Sequence, residues 1–330
     1  MNYSANKRVL SGSAASARLV GLALAPASAK EVQSAAVHSL DNRTVQAVAH
    51  MGKLISERTG GKHSIKVFGQ SSLGSEKDTI EQTKLGALDM VRVNISPFNN
   101  IVPETIVPAL PFVFKSKDHM RRVLDGPVGE DILKSLESQG FVGLAFYDSG
   151  SRSFYTTKKP IKSVADMKGM KIRVQQSDMW VAMMQALGAN ATPLPYAEVY
   201  TALKTGVVDG AENNWPSYDT SRHYEVAKMY SMTEHSMAPE LLVFSKRVWD
   251  GLPKNEQEII RKAAKESVPV MRKLWDDREA ASRKTVEGGG SQIISDLDKK
   301  SFQDAMKPAY AKFAGDAKLQ ALVKRVQDTQ

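Results

Sequence analysis

Two arginines occupy positions where arginine is costly. Arg173 lies inside the apolar run KIRV, and Arg152 directly follows another apolar strand in DSGSRSFY. An uncompensated buried charge costs several kcal/mol, so each needs a partner. Either an internal Asp or Glu supplies a structural salt bridge, or the guanidinium fork receives a ligand carboxylate, for which its paired donors are geometrically suited. Amides recur in similar places: Asn94 closes MVRVN, and Asn213 and Asn214 follow VVDGAE. Ligands bind at strand ends in open α/β sheets, which makes these positions candidates to converge on one site.

Catalytic patterns are missing. The sequence has no HExxH, no G-x-S-x-G elbow and no Walker A loop. The six histidines (His38, His50, His63, His119, His223 and His235) show no metal-ligand spacing, and no metal or other cofactor is expected. Acid pairs such as Glu76/Asp78 and Asp276/Asp277 fall on helical faces with nothing to mark a general acid. The glycines at 288–290 lack the strand–helix context of a phosphate cradle and read as a turn. The chain is therefore expected not to be an enzyme; a lyase or hydrolase using His235 or Glu240 is the alternative from another class.

The elements that would position these side chains alternate between short β-like runs and helical patterns. Apolar spacing predicts a helix over 41–59 stopped by Gly60-Gly61, then a strand at 64–68. A helix over 78–85 ends at Gly86 and leads into a strand at 89–93. A helix over 119–139 precedes a buried-type strand at 141–147. Further along, the sequence predicts a helical turn at 161–167, a strand at 171–175, helices over 177–187 and 195–205, and a strand at 241–245. One or two long helices follow over 255–287, and 302–326 is helical again. Val207-Val208 is expected to end a strand, with Asp209-Gly210 turning the chain so that Asn213 emerges at a cleft. Trp215 and Pro216 stiffen the exit. Such alternation argues for parallel α/β organisation.

With 330 residues, 42% hydrophobic and 25% charged, the chain is long enough for two lobes. The first 29 residues differ: they hold Lys7, Arg8 and Arg18 but no acid, an apolar stretch at 19–25, and then Ala27-Ser28-Ala29. A basic start, an apolar middle and an A-x-A end are the three parts of a secretory signal, so export with cleavage near Ala29 is expected. The Lys-Arg pair before Val-Leu is also similar to a twin-arginine signal. Losing those three cations takes the formal charge from +9 to +6. The remaining basic residues are scattered among acids without a long basic run, which argues against a nucleic-acid partner and suits an anionic ligand. No window approaches the roughly 18 unbroken apolar residues of a membrane span, so no stable membrane insertion is expected. Cysteine is absent, excluding disulfides and thiolate sites.

Four blocks, in order, carry a family resemblance: SSLGSEKDTIEQTKLGALDMVRVN (71–94), YDSGSRSFYTTKKPIKSVADMKGMKIRVQQS (147–177), ALGANATPLPYAEVYTALKTGVVDGAENNWPSY (186–218) and RHYEVAKMYSMTEHSMAPELLVFS (222–245). From about residue 35 to the C-terminus the chain resembles the extracytoplasmic solute-binding proteins of tripartite ATP-independent periplasmic (TRAP) transporters. The resemblance implies a two-lobed, periplasmic-binding-protein-like α/β fold with a hinge, mixed sheets flanked by helices and a long helix. Lobe I would comprise 30–150 and 240–282, and lobe II 151–239 and 283–330. It implies an organic-acid ligand and TRAP membrane subunits as partners. Within the family Arg173 matches the arginine that pairs with the substrate carboxylate; Arg152, Asn213, Asn94 and Tyr196 match neighbouring site positions. The blocks are most similar to the subgroup binding sugar acids such as glucuronate and galacturonate. There Glu76, Arg92, Asn214 and Glu240, with His38, are implied to meet hydroxyl groups. HSLDN around His38 departs from the His-Pro-x-Asp-Tyr run of that subgroup. A dicarboxylate or keto acid is the alternative ligand, and a ligand-sensing subunit the alternative role.

Overall fold

The computed structural model describes Met1 and residues 29–330; the expected signal segment lies almost wholly outside the described residues. Along the chain the strands are β1 (Lys30–Ala35), β2 (His63–Phe68), β3 (Met90–Asn94), β4 (Phe141–Tyr147), β5 (Arg152–Thr156) and β6 (Lys171–Val174). They continue as β7 (Asn190–Pro193), β8 (Gly210–Asn213), β9 (Met229–Ser236), β10 (Glu240–Ser245) and β11 (Gln292–Ile294). Two sheets result, ordered β2-β1-β3-β10-β4 and β11-β9-β5-β8-β6-β7. Each is mixed rather than parallel. β10 runs antiparallel to β3 and β4, and β5 antiparallel to β8 and β9. The reversal has a topological cause: the chain passes from one sheet to the other after β4 and returns after β9, so β5 and β10 enter from the opposite end.

Continuous apolar strands follow from burial on both faces. In β10, Leu241 and Val243 pack into one core while Leu242 and Phe244 pack into another with Val48, Met51, Ile260 and Met271. In β5, Phe154 and Tyr155 divide between the two faces of the second sheet. Chain crossings at residues 148–151 and 237–239 join the lobes. The helix Lys254–Gly288 spans 35 residues without a break despite Pro269, and it packs on Arg43–Arg58 and β4 of the first lobe and on Trp215–Thr220 of the second. Buried Asp148, at the first crossing, accepts from Arg121 at 2.7 Å and Arg272 at 3.3 Å, tying that segment to two helices of the first lobe's side.

Several boundaries move for identifiable reasons. The single helix expected over 119–139 is split into Lys117–Asp125, Pro127–Ser135 and a 3₁₀ turn, Leu136–Gln139. Pro127 has no N–H to continue a helix but suits the first turn of a new one. Val207-Val208 does not end a strand: Val207 is 53% exposed in a turn, and the strand begins at Gly210. The terminal helical stretch is two helices. Lys299–Phe313 packs on Asp178–Ala186 and β9, and Ala317–Asp328 packs on Pro127–Ser135 and the turn at Pro103–Ala109. Among the described residues no helix is long and apolar enough to cross a membrane.

Candidate functional site

The strand ends of the two sheets face one another across the crossings. From the first sheet, β1 runs on to Val37 and His38, Asn94 ends β3, and Glu240 begins β10 opposite Asn94 in the ladder. Glu76 opens the helix Glu76–Leu85, where Ser75 and Asp78 form a capping box that holds the helix start against β3. From the second sheet come Arg152, the first residue of β5, Asn213, the last of β8, and Arg173 on β6. Together with Gln175, Tyr196 and Ser217 these residues line one tightly closed cavity, whose empty space is about 280 Å³ with the adjoining open solvent included.

Eight of the ten predicted residues line this cavity: His38, Glu76, Asn94, Arg152, Arg173, Tyr196, Asn213 and Glu240. Arg92 and Asn214 do not. Arg92 is buried beside it, ion-paired to Glu240, and donates from Nη2 to His38 Nδ1 at 2.7 Å. Asn214 caps the helix Trp215–Thr220, accepting from Ser217 N at 2.8 Å, and its Nδ2 donates to Ser149 Oγ at 3.2 Å. Both position lining residues. Asn94 is also engaged: Nδ2 donates to the Ala238 carbonyl at 3.2 Å and Oδ1 accepts from Ser96 N at 3.0 Å.

The two candidate arginines separate here. Arg152 is held in a two-pronged pair with Glu212, Nε to Oε2 at 2.5 Å and Nη2 to Oε1 at 2.8 Å. Burial opposes the charge on both partners, and their mutual attraction outweighs it: the Arg152 pKa rises and that of Glu212 falls. Arg173, 3% exposed, donates Nε and Nη2 to the Leu194 carbonyl at 3.0 and 2.6 Å. No carboxylate among the described residues forms a salt bridge with it, and burial lowers its pKa. The structural salt bridge that either arginine might have made belongs to Arg152. Arg173 is the cation left facing the cavity.

The neighbours complete a polar wall. Because Arg92 donates to His38 Nδ1, the His38 proton sits on Nε2, 3.3 Å from Ser217 Oγ; burial, then Arg92, holds its pKa well below the ordinary value, so the ring is neutral. Glu76 accepts the Asn94 backbone N–H at 3.0 Å through Oε1, and among the described residues no donor reaches Oε2. Burial, then the charge of Glu240, raises the Glu76 pKa. Tyr196 bonds Ser221 and sets its ring 4.8 Å from that of His38. The cavity thus offers a cationic fork, neutral amides and hydroxyls, and a carboxylate acceptor. That set is complementary to a small polyhydroxylated anion.

Residues 34–316 match the family described as Bacterial extracellular solute-binding protein, family 7. The chain belongs to this family. Among solved structures, this solute-binding protein is similar to a TRAP periplasmic solute-binding protein from Bradyrhizobium sp. BTAi1 in complex with α/β-D-galacturonate. The two share 64% identity over 91% of this chain and 100% of that chain, with a TM-score of 0.90. A second, from Xanthobacter autotrophicus Py2 with bound β-D-galacturonate, is 56% identical over 91% and 100% of the two chains, TM-score 0.89. A third, from Chromohalobacter salexigens DSM 3043 with bound D-glucuronate, is 40% identical over the same shares, TM-score 0.88. The mixed α/β, two-lobed fold is that of these TRAP solute-binding proteins.

Reading the solute-binding protein from sequence missed Gln175 and Ser217 in the lining, and Glu212 behind it. Gln175 had a usable signal, since residues two apart on a strand share a face and Gln175 is two from Arg173. Glu212 was legible as an acid inside an apolar strand, but not as the partner of Arg152.

The raised pKa of Glu76 has a thermodynamic consequence. A carboxyl whose folded pKa lies above its unfolded value binds protons preferentially when folded, so its penalty is absent below the unfolded pKa and grows as pH rises through the folded one. Glu76→Gln is therefore expected to stabilise the unliganded protein at neutral pH, with the advantage shrinking as pH falls toward 4.5. Urea unfolding of both proteins across that range checks it; a constant difference would show that Glu76 is not perturbed.

Proposed function

We propose that this protein captures a hexuronate of the galacturonate or glucuronate type in the periplasm and presents it to TRAP membrane subunits. The observation that carries the reading is Arg173: a buried guanidinium, aimed into a closed polar cavity, with backbone hydrogen bonds but no carboxylate of its own. A uronate brings the missing carboxylate, and its hydroxyls meet groups that the described residues leave open, including Asn213 Nδ2 and Glu76 Oε2. Solved relatives that hold galacturonate or glucuronate support the same ligand class.

Lobe I comprises 30–150 and 240–282 and lobe II 151–239 and 283–330, with the last helix, Ala317–Asp328, reaching back to pack on Pro103–Ala109 and Pro127–Ser135 of lobe I. Ligand contacts from both lobes favour the closed arrangement, which the membrane subunits read. The segment 1–29 directs export and is removed. The protein binds without chemistry: His235 is stacked on Phe154 and bonded to Thr233, away from the cavity, and Glu240 is neutralised by Arg92.

A thermal-shift screen with calorimetric follow-up tests this. D-galacturonate and D-glucuronate should raise the melting temperature with concentration, by an amount equivalent to about 2.7 kcal/mol at a hundredfold excess over Kd. The neutral sugars galactose and glucose should not. Tighter binding of a dicarboxylate or keto acid would overturn the uronate reading, and turnover of a uronate by the pure protein would overturn the non-enzymatic one.

A further inference from the structure

One cavity residue carries a requirement that neither the arginine nor the motif reading accounts for. Gln175 follows β6 directly, is 6% exposed and lines the cavity. Its Oε1 is buried and has no hydrogen-bond partner. Six other buried side-chain polar atoms among the described residues share that condition: Ser34 Oγ, Arg92 Nε, Ser151 Oγ, His235 Nε2, Trp275 Nε1 and Arg278 Nε. None of the six belongs to a residue lining this cavity, so among the described residues the fully buried unmet acceptor inside the site is that of Gln175. Among the described residues no protein acceptor receives its Nε2 either. By contrast, Asn94 is committed to backbone partners and Asn213 Oδ1 to Asn214 N at 2.9 Å. Gln175 is the lining amide with both ends open.

A side-chain amide presents an acceptor and a two-hydrogen donor side by side in one plane. A sugar hydroxyl both donates and accepts, so two adjacent ring hydroxyls can satisfy such an amide together, one donating to Oε1 and its neighbour accepting from Nε2. A carboxylate or guanidinium at this position offers only one polarity. Arg173 and, just past the end of that strand, Gln175 both line the cavity. A ligand whose carboxylate is anchored on Arg173 therefore holds its ring beside Gln175.

We propose that Gln175 is a specificity-determining residue that reads an adjacent pair of ring hydroxyls on the sugar acid. The inference rests on the sugar-acid reading above and adds a demand to it: a hydroxyl hydrogen must reach Oε1, because a buried acceptor left unpaired is costly. Acids without that hydroxyl are rejected although they carry the carboxylate Arg173 needs.

The test is calorimetry on the full mature chain with D-galacturonate and its 2-deoxy, 3-deoxy and 4-deoxy analogues, for wild type and Gln175→Met. Methionine nearly preserves the volume and removes both hydrogen-bonding ends; Gln175→Leu provides the same readout should the methionine variant not fold. The expected result is a loss of about 10- to 100-fold in galacturonate affinity for the variant. For one hydroxyl, or two adjacent ones, the wild type should lose a similar factor on deoxygenation while the variant loses little. Unchanged galacturonate affinity in the variant overturns the proposal and leaves the sugar-acid reading standing. An equal loss for galacturonate and every deoxy analogue overturns it too, since that is a packing defect. Failure of wild type to bind any hexuronate overturns both.

Discussion

Arg173→Ala is expected to lower hexuronate affinity by about 2–5 kcal/mol, a factor of roughly 30 to several thousand, while leaving the unliganded protein as stable as wild type or more so. The two halves share one cause. In the unliganded chain Arg173 is a buried cation whose partners are a carbonyl and no carboxylate, and burial already lowers its pKa. Removing it relieves a desolvation cost and breaks no ion pair. In the complex the same change strands a buried carboxylate. Arg173→Lys keeps the charge but loses the two-pronged fork, so it should fall between alanine and wild type. Calorimetry and thermal unfolding together give both readouts. An alanine variant that binds uronates within about threefold of wild type would remove Arg173 as the carboxylate anchor.

The largest stability effect is expected at Glu212, a residue that is 0% exposed. Glu212→Ala leaves Arg152 buried without its carboxylate and should cost about 3–5 kcal/mol in urea unfolding at neutral pH. The local wall suffers as well: the Arg152 guanidinium lies 5.6 Å over the Trp180 ring, and His235 Nε2 is 3.6 Å from Glu212 Oε2. The sign of the pH dependence follows from the lowered Glu212 pKa. Its stabilising contribution is present above the unfolded carboxylate pKa and is lost as pH falls through the folded value, so the gap between wild type and variant should narrow in acid. Replacing both partners with apolar residues of similar size, as in Arg152→Met/Glu212→Leu, should recover much of the stability. Uronate affinity should still fall, because among the described residues Arg152 Nη1 has no hydrogen-bond partner and Arg152 lines the cavity. A single variant that unfolds like wild type would show that the pair is not holding this wall.

Much of the fold could be read locally. The strand at 141–147 and the helix end at Gly86, φ 79°, occur where apolar runs and a left-handed glycine put them. LLVFS and KIRV read as buried strands because β-branched and aromatic runs of that length suit a two-sided sheet. Strand direction was less accessible. Alternating strands and helices suggested parallel sheets, and nothing within β10 announces that it returns from the other lobe antiparallel to β3 and β4. The split at Gly126-Pro127 was visible in the residues themselves, but a continuous amphipathic pattern on both sides concealed it.

The site divides along the same line. Composition and position determined that Arg152, Asn94 and Asn213 stand at strand ends, because polar residues bordering apolar runs have few other places to go, and that Arg173 sits inside a buried strand. Which of them faces the cavity free was decided only by tertiary structure. Glu212 lies on β8, sixty positions from Arg152, and the antiparallel β5–β8 ladder brings the two strands side by side. Arg92 and Asn214 look from sequence like lining residues, yet each is absorbed by partners from distant segments. Gln175 passes unnoticed until its neighbours are seen to leave both ends of its amide open. Residue type and local period set what a side chain can offer; burial and long-range pairing set which of those offers remain for a ligand.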